Sequence, residues 1–258
     1  MAMDPDGRLA PVSAIPIVGL PEIVLGDDLG RLILDRCERN DTPLAAGDLV
    51  VVAQKIVSKA EGAVQVISEQ RPTPEAVELA QKIDKDPRMV QIVLDQSARV
   101  VRAVTGVLIV ETVHGFICAN AGVDHSNIEN DDVVTTLPED SDRSAREIRG
   151  TLVERLGFDV GVLVTDTFNR PWREGSVNVA IGVAGFDPLR DLRGTLDDFG
   201  REMVVSTVSL ADEVASTAQL VMGESGRIPA AIVRGVSWEP GDFPSSRLLR
   251  PANRDLFR

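Results

Sequence analysis

The chain has 258 residues, 43% of them hydrophobic and 26% charged, which is ordinary for a globular protein with a substantial core. Its net charge of −13 and its aromatic content of 3%, without any Tyr, argue against a nucleic-acid-binding surface. With only two His and two Cys, a His-rich zinc site and a disulfide scaffold are disfavoured, so any metal should be a hard cation with oxygen ligands.

No apolar run approaches the roughly 20 residues needed to span a bilayer, and the N-terminus is polar, unlike a secretory signal. We therefore expect a cytoplasmic enzyme without membrane contact, with residues 1–14 as a flexible N-terminus. Residues 15–23 then predict a short strand that runs into a Gly-Pro turn. Asp27 and Asp28 predict the start of a helix, because acids are favourable at its positive end.

A first polar cluster follows the predicted buried strand at residues 49–53. The cluster ends at Gly62 and contains Gln54, Lys55, Ser58, Lys59 and Glu61. Polar side chains directly after a buried strand are candidates for chemistry. Two lysines beside a turn are either solvated or available to a phosphate, and the cluster by itself leaves both interpretations open.

The middle of the chain predicts two helices, a hairpin and a second polar cluster. Helix starts are indicated at Thr73 and at Asp86, each a capping side chain followed by proline. Residues 99–112 predict a hairpin that turns at Gly106. A further strand leads into a polar, turn-forming segment, residues 120–127.

The central stretch combines a buried strand with oxygen-bearing and charged side chains. After a predicted amphipathic helix at 140–156, the apolar residues 160–164 predict a strand buried on both faces. We expect this strand to end at residues 165–167, a Thr-Asp-Thr sequence, with Arg170 and Arg173 following around a proline. Such residues suit a metal-phosphate site, and they suit a polar turn with solvated arginines equally well.

The last third of the chain predicts strands around one helix. Residues 177–185 are apolar and glycine-rich, and residues 203–210 alternate like a half-buried strand. A helix that begins at residue 211 is expected to end at Gly223, before a loop and a last strand. Residues 237–258 predict a surface tail or linker.

The mixture of hairpins and helix-separated strands favours an α+β fold over a regular doubly wound sheet. We expect mixed or antiparallel sheets with flanking helices, in one domain at residues 15–236.

Two common nucleotide-binding signatures are missing, the G-x-x-x-x-G-K-[ST] loop and the G-x-G-x-x-G fingerprint. A carboxylate about 4 Å from a phosphate oxygen is repelled by roughly 4 kcal/mol at an effective dielectric near 20. Several acids in a phosphate site therefore make sense only with divalent cations between them. Asp124, Asp166, Thr167 and Glu224 could supply the oxygen ligands if the fold brings them together.

An ordered set of motifs between about residues 15 and 235 closely resembles the coenzyme F420-0:L-glutamate ligase family. The motifs are GLPE at 19–22, GDDL at 26–29, SKAEG at 58–62, AGVDHSN at 121–127, TDT at 165–167, RPWR at 170–173 and ADE at 211–213. Residues 247–257 resemble the junction in actinobacterial two-domain members, where a nitroreductase-like flavin domain follows. No flavin-dependent reduction is predicted for this chain.

The resemblance implies a ligase that uses GTP to join L-glutamate to the deazaflavin precursor coenzyme F420-0 and then adds further glutamates through γ-linkages. In such ligases the precursor carboxylate attacks the γ-phosphate, and the glutamate amine displaces phosphate from the acyl phosphate. The resemblance also implies the family's α+β fold, an intertwined homodimer, and Mg2+ or Mn2+ as cofactor, with K+ as a further candidate. Two alternatives stay open: a nucleotide-binding regulatory subunit without turnover, and an amino-acid ligase for a different carboxylate cofactor.

By position, the resemblance implies metal ligands at Asp124, Asp166, Thr167 and Glu224. It implies nucleotide contacts at Leu20, Pro21, Glu22, Ile23, Gln54, Lys55, Lys59 and Asn127, and in the loop at Met222, Gly223, Glu224, Ser225 and Gly226. Lys59 is expected to act catalytically as a point charge on the transferring phosphate. Arg170 and Arg173 are our own catalytic assignment, because Arg suits an acyl phosphate or a carboxylate.

Overall fold

A computed structural model describes residues 11–125 and 130–255 of the chain. Most of the predicted N-terminal segment 1–14, and the predicted nucleotide contact Asn127, therefore lie outside the described residues. The helices are α1 (Leu29–Arg39), α2 (Gln54–Glu61), α3 (Pro74–Ile83), α4 (Pro87–Asp95), α5 (Ser141–Leu156) and α6 (Leu210–Met222). The strands are β1 (Ser13–Pro16), β2 (Leu49–Ala53), β3 (Val64–Val66), β4 (Ser97–Val104), β5 (Val107–Thr112), β6 (Ile117–Ala119), β7 (Val133–Thr135), β8 (Gly161–Arg170), β9 (Arg173–Ala184), β10 (Leu189–Asp191), β11 (Thr207–Ser209) and β12 (Ala230–Arg234).

The main sheet has five strands in the order β1-β12-β2-β8-β9. The pair β2–β8 is parallel, and the other neighbours are antiparallel. Because successive side chains of a strand point to opposite faces, β2 and β8 contribute to two cores. One core packs under α1 and α5 and the other under α6, which explains why residues 160–164 are apolar throughout.

Smaller sheets lie beside the main sheet: β4-β5-β6, β3-β7 and β10-β11. A third core joins α3 and α4 to β5 and its surroundings. The protein is thus an α+β fold with mixed and antiparallel sheets and flanking helices, which confirms the expected fold class. In the described ranges, no helix combines the length and apolar character needed to cross a membrane.

Helix starts follow the capping signals in the sequence. Asp28, Thr73, Asp86 and Asp140 each accept a hydrogen bond from a backbone N–H in the first turn of α1, α3, α4 and α5. These four predictions are confirmed within one or two residues. The hairpin that turns at Gly106 is also confirmed, as β4 and β5.

Two predicted strand boundaries are wrong. The strand expected to end at residues 165–167 continues to Arg170, because β9 pairs with it along this length. The register shifts between Val164 and Thr165, leaving Ile181 of β9 as the extra residue of a bulge. The strand predicted at 203–210 forms only as β11, and Val204 and Val205 remain 73% and 82% exposed.

Part of the predicted tail packs on the main sheet and its helices. Trp238 contacts Phe186, and its indole N–H donates to the Gly47 carbonyl at 2.9 Å. Ser245 is buried and donates its backbone N–H to the Asp142 carboxylate. These contacts place the segment between residues 238 and 249 against the body of the protein.

Candidate active site

A cleft of about 620 Å3 opens beside the main sheet. It is located where the parallel pair β2–β8 ends, with Ala53 opposite Thr165. In sheets with parallel strands, ligands bind outside the carboxyl ends of those strands. The first turns of α2 follow β2 directly, so the polar cluster after residue 53 enters the cleft.

The cleft collects most of the predicted site residues from distant parts of the chain. Its lining includes Leu20, Pro21, Glu22, Ile23, Gln54, Lys55, Lys59, Asp124, Asp166, Thr167, Met222, Gly223, Glu224 and Gly226. Ser225 is on the same loop as Glu224 but does not line the cleft.

Four carboxylates line this cleft, those of Glu22, Asp124, Asp166 and Glu224, and the last three interact electrostatically. The pKa of Asp166 is raised to about 7, mainly by burial and further by the charges of Asp124 and Glu224. The backbone N–H of Thr167 and the charge of Lys55 act in the opposite direction. Asp166 therefore lies within electrostatic reach of acids from two other segments of the chain.

Two lysines of α2 form ion pairs across the cleft. The Lys55 Nζ lies 2.6 Å from an Asp124 carboxylate oxygen, and Lys59 pairs with Glu22. The side chains of Lys55 and Lys59 are only 16% and 15% exposed, so the cleft walls largely enclose their stems. Each ammonium group is thus paired with an acid from a distant part of the chain.

Gln54 has structural contacts besides its place in the cleft wall. Its side-chain amide is buried and donates to the Ser58 hydroxyl and to the Thr136 carbonyl at 2.8 Å. Ser58 donates to the same carbonyl at 2.6 Å. Gln54 and Ser58 therefore connect α2 to the chain after β7.

Two threonine hydroxyl groups of β8, beside the cleft, donate hydrogen bonds to residues of β9. Thr165 donates to the Val179 carbonyl at 2.8 Å, and Thr167 donates to the Asn178 Oδ1 at 2.8 Å. Sequence reasoning missed Asn178 as a cleft residue, although it is only 6% exposed. A single amide within the apolar stretch 177–185 was the signal that could have identified it, because a buried amide needs partners.

The donor set fits a hard divalent cation. Asp124, Asp166 and Glu224 offer carboxylates and Thr167 a hydroxyl, the oxygen ligands that Mg2+ and Mn2+ prefer. In the described ranges, no three acidic, histidine or cysteine side chains are already grouped closely enough to hold a metal ion. Mg2+ usually takes one or two carboxylates together with substrate phosphates, so this arrangement suits a cation that arrives with a nucleotide.

Arg170 and Arg173 lie outside the cleft, at the tip of the β8–β9 hairpin. The Arg170 guanidinium donates to the Glu174 carbonyl at 2.6 Å and to the Gly175 carbonyl at 3.2 Å, closing its own hairpin. Their catalytic assignment stays a prediction, with a structural contact for Arg170 beside it.

The two cysteines are buried. Burial, with the nearby charge of Asp166 as a further cause, raises the pKa of Cys118 to about 12. Burial likewise raises the pKa of Cys37 to about 11. Both thiols therefore stay protonated at neutral pH, as expected for buried core residues.

Comparisons of the chain with known proteins all indicate the same family. Residues 18–235 match the family described as F420-0:Gamma-glutamyl ligase. A protein named Coenzyme F420:L-glutamate ligase from Methanothermobacter thermautotrophicus is 42% identical over 250 residues, 96% of this chain and 99% of that protein. Proteins of the same name from Methanopyrus kandleri and Archaeoglobus fulgidus are 45% and 39% identical over 238 and 248 residues, covering 92% and 96% of their own lengths. The chain therefore belongs to the F420-0:gamma-glutamyl ligase family.

Proposed function

We propose that this protein joins L-glutamate to coenzyme F420-0 in a GTP-dependent ligation and then adds further glutamates through γ-linkages. The relatives that match nearly the whole chain are named Coenzyme F420:L-glutamate ligase. The observation that carries the proposal is the cleft in which four carboxylates and two lysines meet within the matched range. The carboxylates can hold divalent cations and the two lysines can contact anionic groups. This combination suits a reaction of two carboxylic acids, the acceptor and L-glutamate, with a triphosphate.

The proposed reaction has two steps. A carboxylate oxygen of the acceptor attacks the γ-phosphorus of GTP, the bond to the β-phosphate oxygen breaks, and GDP leaves. The glutamate amine then attacks the acyl carbon, the bond to the phosphate oxygen breaks, and the nitrogen loses a proton. The products are an amide, GDP and inorganic phosphate.

In this reaction Lys55 and Lys59 act as point charges for phosphate oxygens. Each is paired with an acid of the cleft, Asp124 and Glu22 respectively. Nucleotide binding would exchange a carboxylate for a phosphate oxygen at each ammonium group. Lys59 is the proposed catalytic lysine because a charge on the transferring group stabilises the transition state.

Mg2+ or Mn2+, with K+ as a further candidate, would be held by the oxygen atoms of Asp124, Asp166, Thr167 and Glu224. When bound, the ion neutralises charge on the phosphates and polarises them. Residues 20–23, with Met222, Gly223, Glu224 and Gly226, line the walls of the cleft that would contact the nucleotide.

A homodimer is part of the proposal. We define the arm as residues 189–209, comprising β10, β11 and the segment between them. Leu196, Phe199, Val204 and Val205 of the arm are 65–85% exposed. Exposed apolar side chains concentrated in one segment are typical of a protein–protein contact.

The direct test is incubation with GTP, Mn2+ or Mg2+, L-glutamate and F420-0, followed by mass spectrometry. We expect successive mass increments of one glutamate residue, with one phosphate released for each. Absence of any increment across both metals and a range of pH would contradict the ligase proposal. Phosphate release with a different carboxylate acceptor would instead indicate another amino-acid ligase.

A further inference from the structure

The outer edge of the main sheet is covered by a helix instead of a strand. β9 is the last strand of the sheet, and backbone groups of Asn178 and Ala180 point away from β8. Side chains of α6 satisfy them: Gln219 Oε1 accepts from the Asn178 N–H at 2.8 Å, and Asp212 accepts from the Ala180 N–H at 2.9 Å. Ser216 donates to the Asn178 carbonyl at 3.0 Å. The positions 212, 216 and 219 share one face of the helix.

Gln219 differs from the other two because its amide also contacts the cleft. Its Nε2 donates to a carboxylate oxygen of Glu224 at 3.0 Å. On the other side, the Asn178 Oδ1 accepts from the Thr167 hydroxyl at 2.8 Å. A chain of hydrogen bonds therefore runs Thr167–Asn178–Gln219–Glu224 and joins two of the residues proposed to face the metal ion.

The geometry of the amide determines its orientation. Because the carbonyl oxygen of Gln219 accepts from the Asn178 backbone, its NH2 group must face Glu224. Glu224 is exposed, on a loop that begins at Gly223 with φ of 60°. An exposed Glu samples many rotamers, so a donor fixed to the sheet edge restricts where its carboxylate points.

We propose that Gln219 is a positioning residue that orients the Glu224 carboxylate toward the cation in the cleft. The inference rests on the proposed function, because it requires Glu224 to act on a metal ion. It differs from a purely structural role for Gln219, which would end at the contact with the Asn178 backbone.

The test is a titration of the protein with Mn2+ alone. Binding is measured as the loss of the free-ion signal in electron paramagnetic resonance. Gln219→Met keeps the length and helix propensity of the side chain and removes both hydrogen bonds. We expect it to weaken Mn2+ binding about 10- to 100-fold, the usual effect of losing a partner that orients a metal ligand. Ser216→Ala is the matched control: it removes a bond from α6 to the same residue of β9, and we expect its affinity to stay within about twofold of wild type.

A double-mutant cycle separates positioning from general support of the sheet edge. In a Glu224→Ala background, Gln219→Met should cause no further loss of Mn2+ affinity, because the side chain it positions is gone. An equal loss with and without Glu224 would overturn the inference, as would an effect of Ser216→Ala as large as that of Gln219→Met. Circular dichroism melting would establish that each variant is folded.

If Gln219→Met does not fold, Gln219→Glu tests the same contact. It retains an acceptor for the Asn178 N–H and replaces only the donor to Glu224, so binding should weaken; equal or tighter binding overturns the inference. Wild-type protein that binds no Mn2+ would overturn both the inference and the metal part of the proposed function. The glutamylation assay decides the ligase reaction separately.

Discussion

Asp166 shows how a single side chain joins the fold to the proposed chemistry. It follows the buried part of β8, and its carboxylate meets the charges of Asp124 and Glu224. Burial and like charges both disfavour its ionised form. A divalent cation or a nearby ammonium group would favour that form, so the residue suits a site that is completed by its ligands.

Asp166→Asn should lower turnover by at least about 100-fold, because it removes a charge directed at the proposed cation and changes little volume. The raised pKa means that the folded state holds the Asp166 proton more tightly than the unfolded chain does. The stability that protonated Asp166 contributes to the metal-free fold is therefore lost as the pH rises from 3.8 to about 7, and the thermal midpoint of the variant at pH 8 should equal or exceed that of wild type. Turnover and melting, measured on the same preparation, check both parts; a variant that fails to fold would indicate a structural role instead.

Metal affinity should depend on pH near neutrality. The pKa of Asp166 is about 7, so below this pH a cation must displace a proton to use the carboxylate. We expect the Kd for Mn2+ to rise about tenfold between pH 8 and pH 6, measured by electron paramagnetic resonance. Asp166→Asn should remove most of this dependence, whereas a wild-type Kd that is unchanged over the range would exclude Asp166 as a ligand.

Lys59→Ala should weaken GTP binding by about 10- to 100-fold, the loss expected for one charge-assisted contact to a phosphate. Its enclosed stem and its pairing with Glu22 place the ammonium group in the cleft. Isothermal titration with GTP measures the effect. Lys82→Ala, which removes an exposed lysine of α3, is the control and should leave the affinity unchanged. If both variants bind GTP like wild type, Lys59 is not a nucleotide contact.

At the level of elements, close packing between α5 and β9 supports the strand that carries Asn178. A Cβ on Gly182 would lie 2.3 Å from the Ser141 carbonyl oxygen, so this strand residue must be glycine for the first turn of α5 to approach it. The same helix start contributes Asp142, which accepts from the Val183 N–H at 2.8 Å. The N-terminus of α5 and the polar face of α6 thus both satisfy groups of β9.

Gly182→Ala should lower the free energy of unfolding by about 1–3 kcal/mol, because the methyl group overlaps backbone atoms that cannot move aside. Chemical denaturation measures the change. Gly150→Ala is the matched control in the same region: its Cβ would meet nothing within 4 Å, and alanine favours the helix interior by up to about 1 kcal/mol. A Gly182 variant as stable as wild type would mean that α5 packs more loosely than the contacts indicate.

At the level of the whole molecule, the net charge of −13 opposes the approach of a triphosphate. The cleft offers two enclosed lysines and a set of acids suited to divalent cations, so binding depends on local charges. The arm is the other feature at this scale. Its exposed side chains Leu196, Phe199, Val204 and Val205 belong to none of the three cores.

From the exposed apolar side chains of the arm we expect a homodimer in solution. Wild-type protein should have a mass about twice the 27.8 kDa of the chain in size-exclusion chromatography with light scattering. Phe199→Glu combined with Val205→Glu should shift it to monomers, because the contact would bury two charges. Leu220→Glu changes a side chain of α6 that is 84% exposed and should leave the dimer intact. A monomeric wild type would contradict the dimer proposal.

Local features of the fold were accessible from the sequence because their causes act within a few residues. The caps Asp28, Thr73 and Asp86 satisfy N–H groups in their own first turns, and the apolar run from 160 to 164 reports burial on both faces. The end of β8 was misplaced for the opposite reason: Thr165, Asp166 and Thr167 are polar, but pairing with β9 keeps them extended.

The sequence by itself thus determined the fold class, the helix starts and the types of residue available for chemistry, and its motifs pointed to the family. Only the tertiary structure decided which residues meet: it gathers Lys55, Asp124, Asp166 and Glu224 in one cleft, leaves Arg170 at a hairpin tip and adds Asn178 and Gln219. The physical reason is that the cleft depends on β2 pairing in parallel with β8, more than a hundred residues away along the chain. Capping and hydrophobic periodicity act over a few residues and carry no information about that partner.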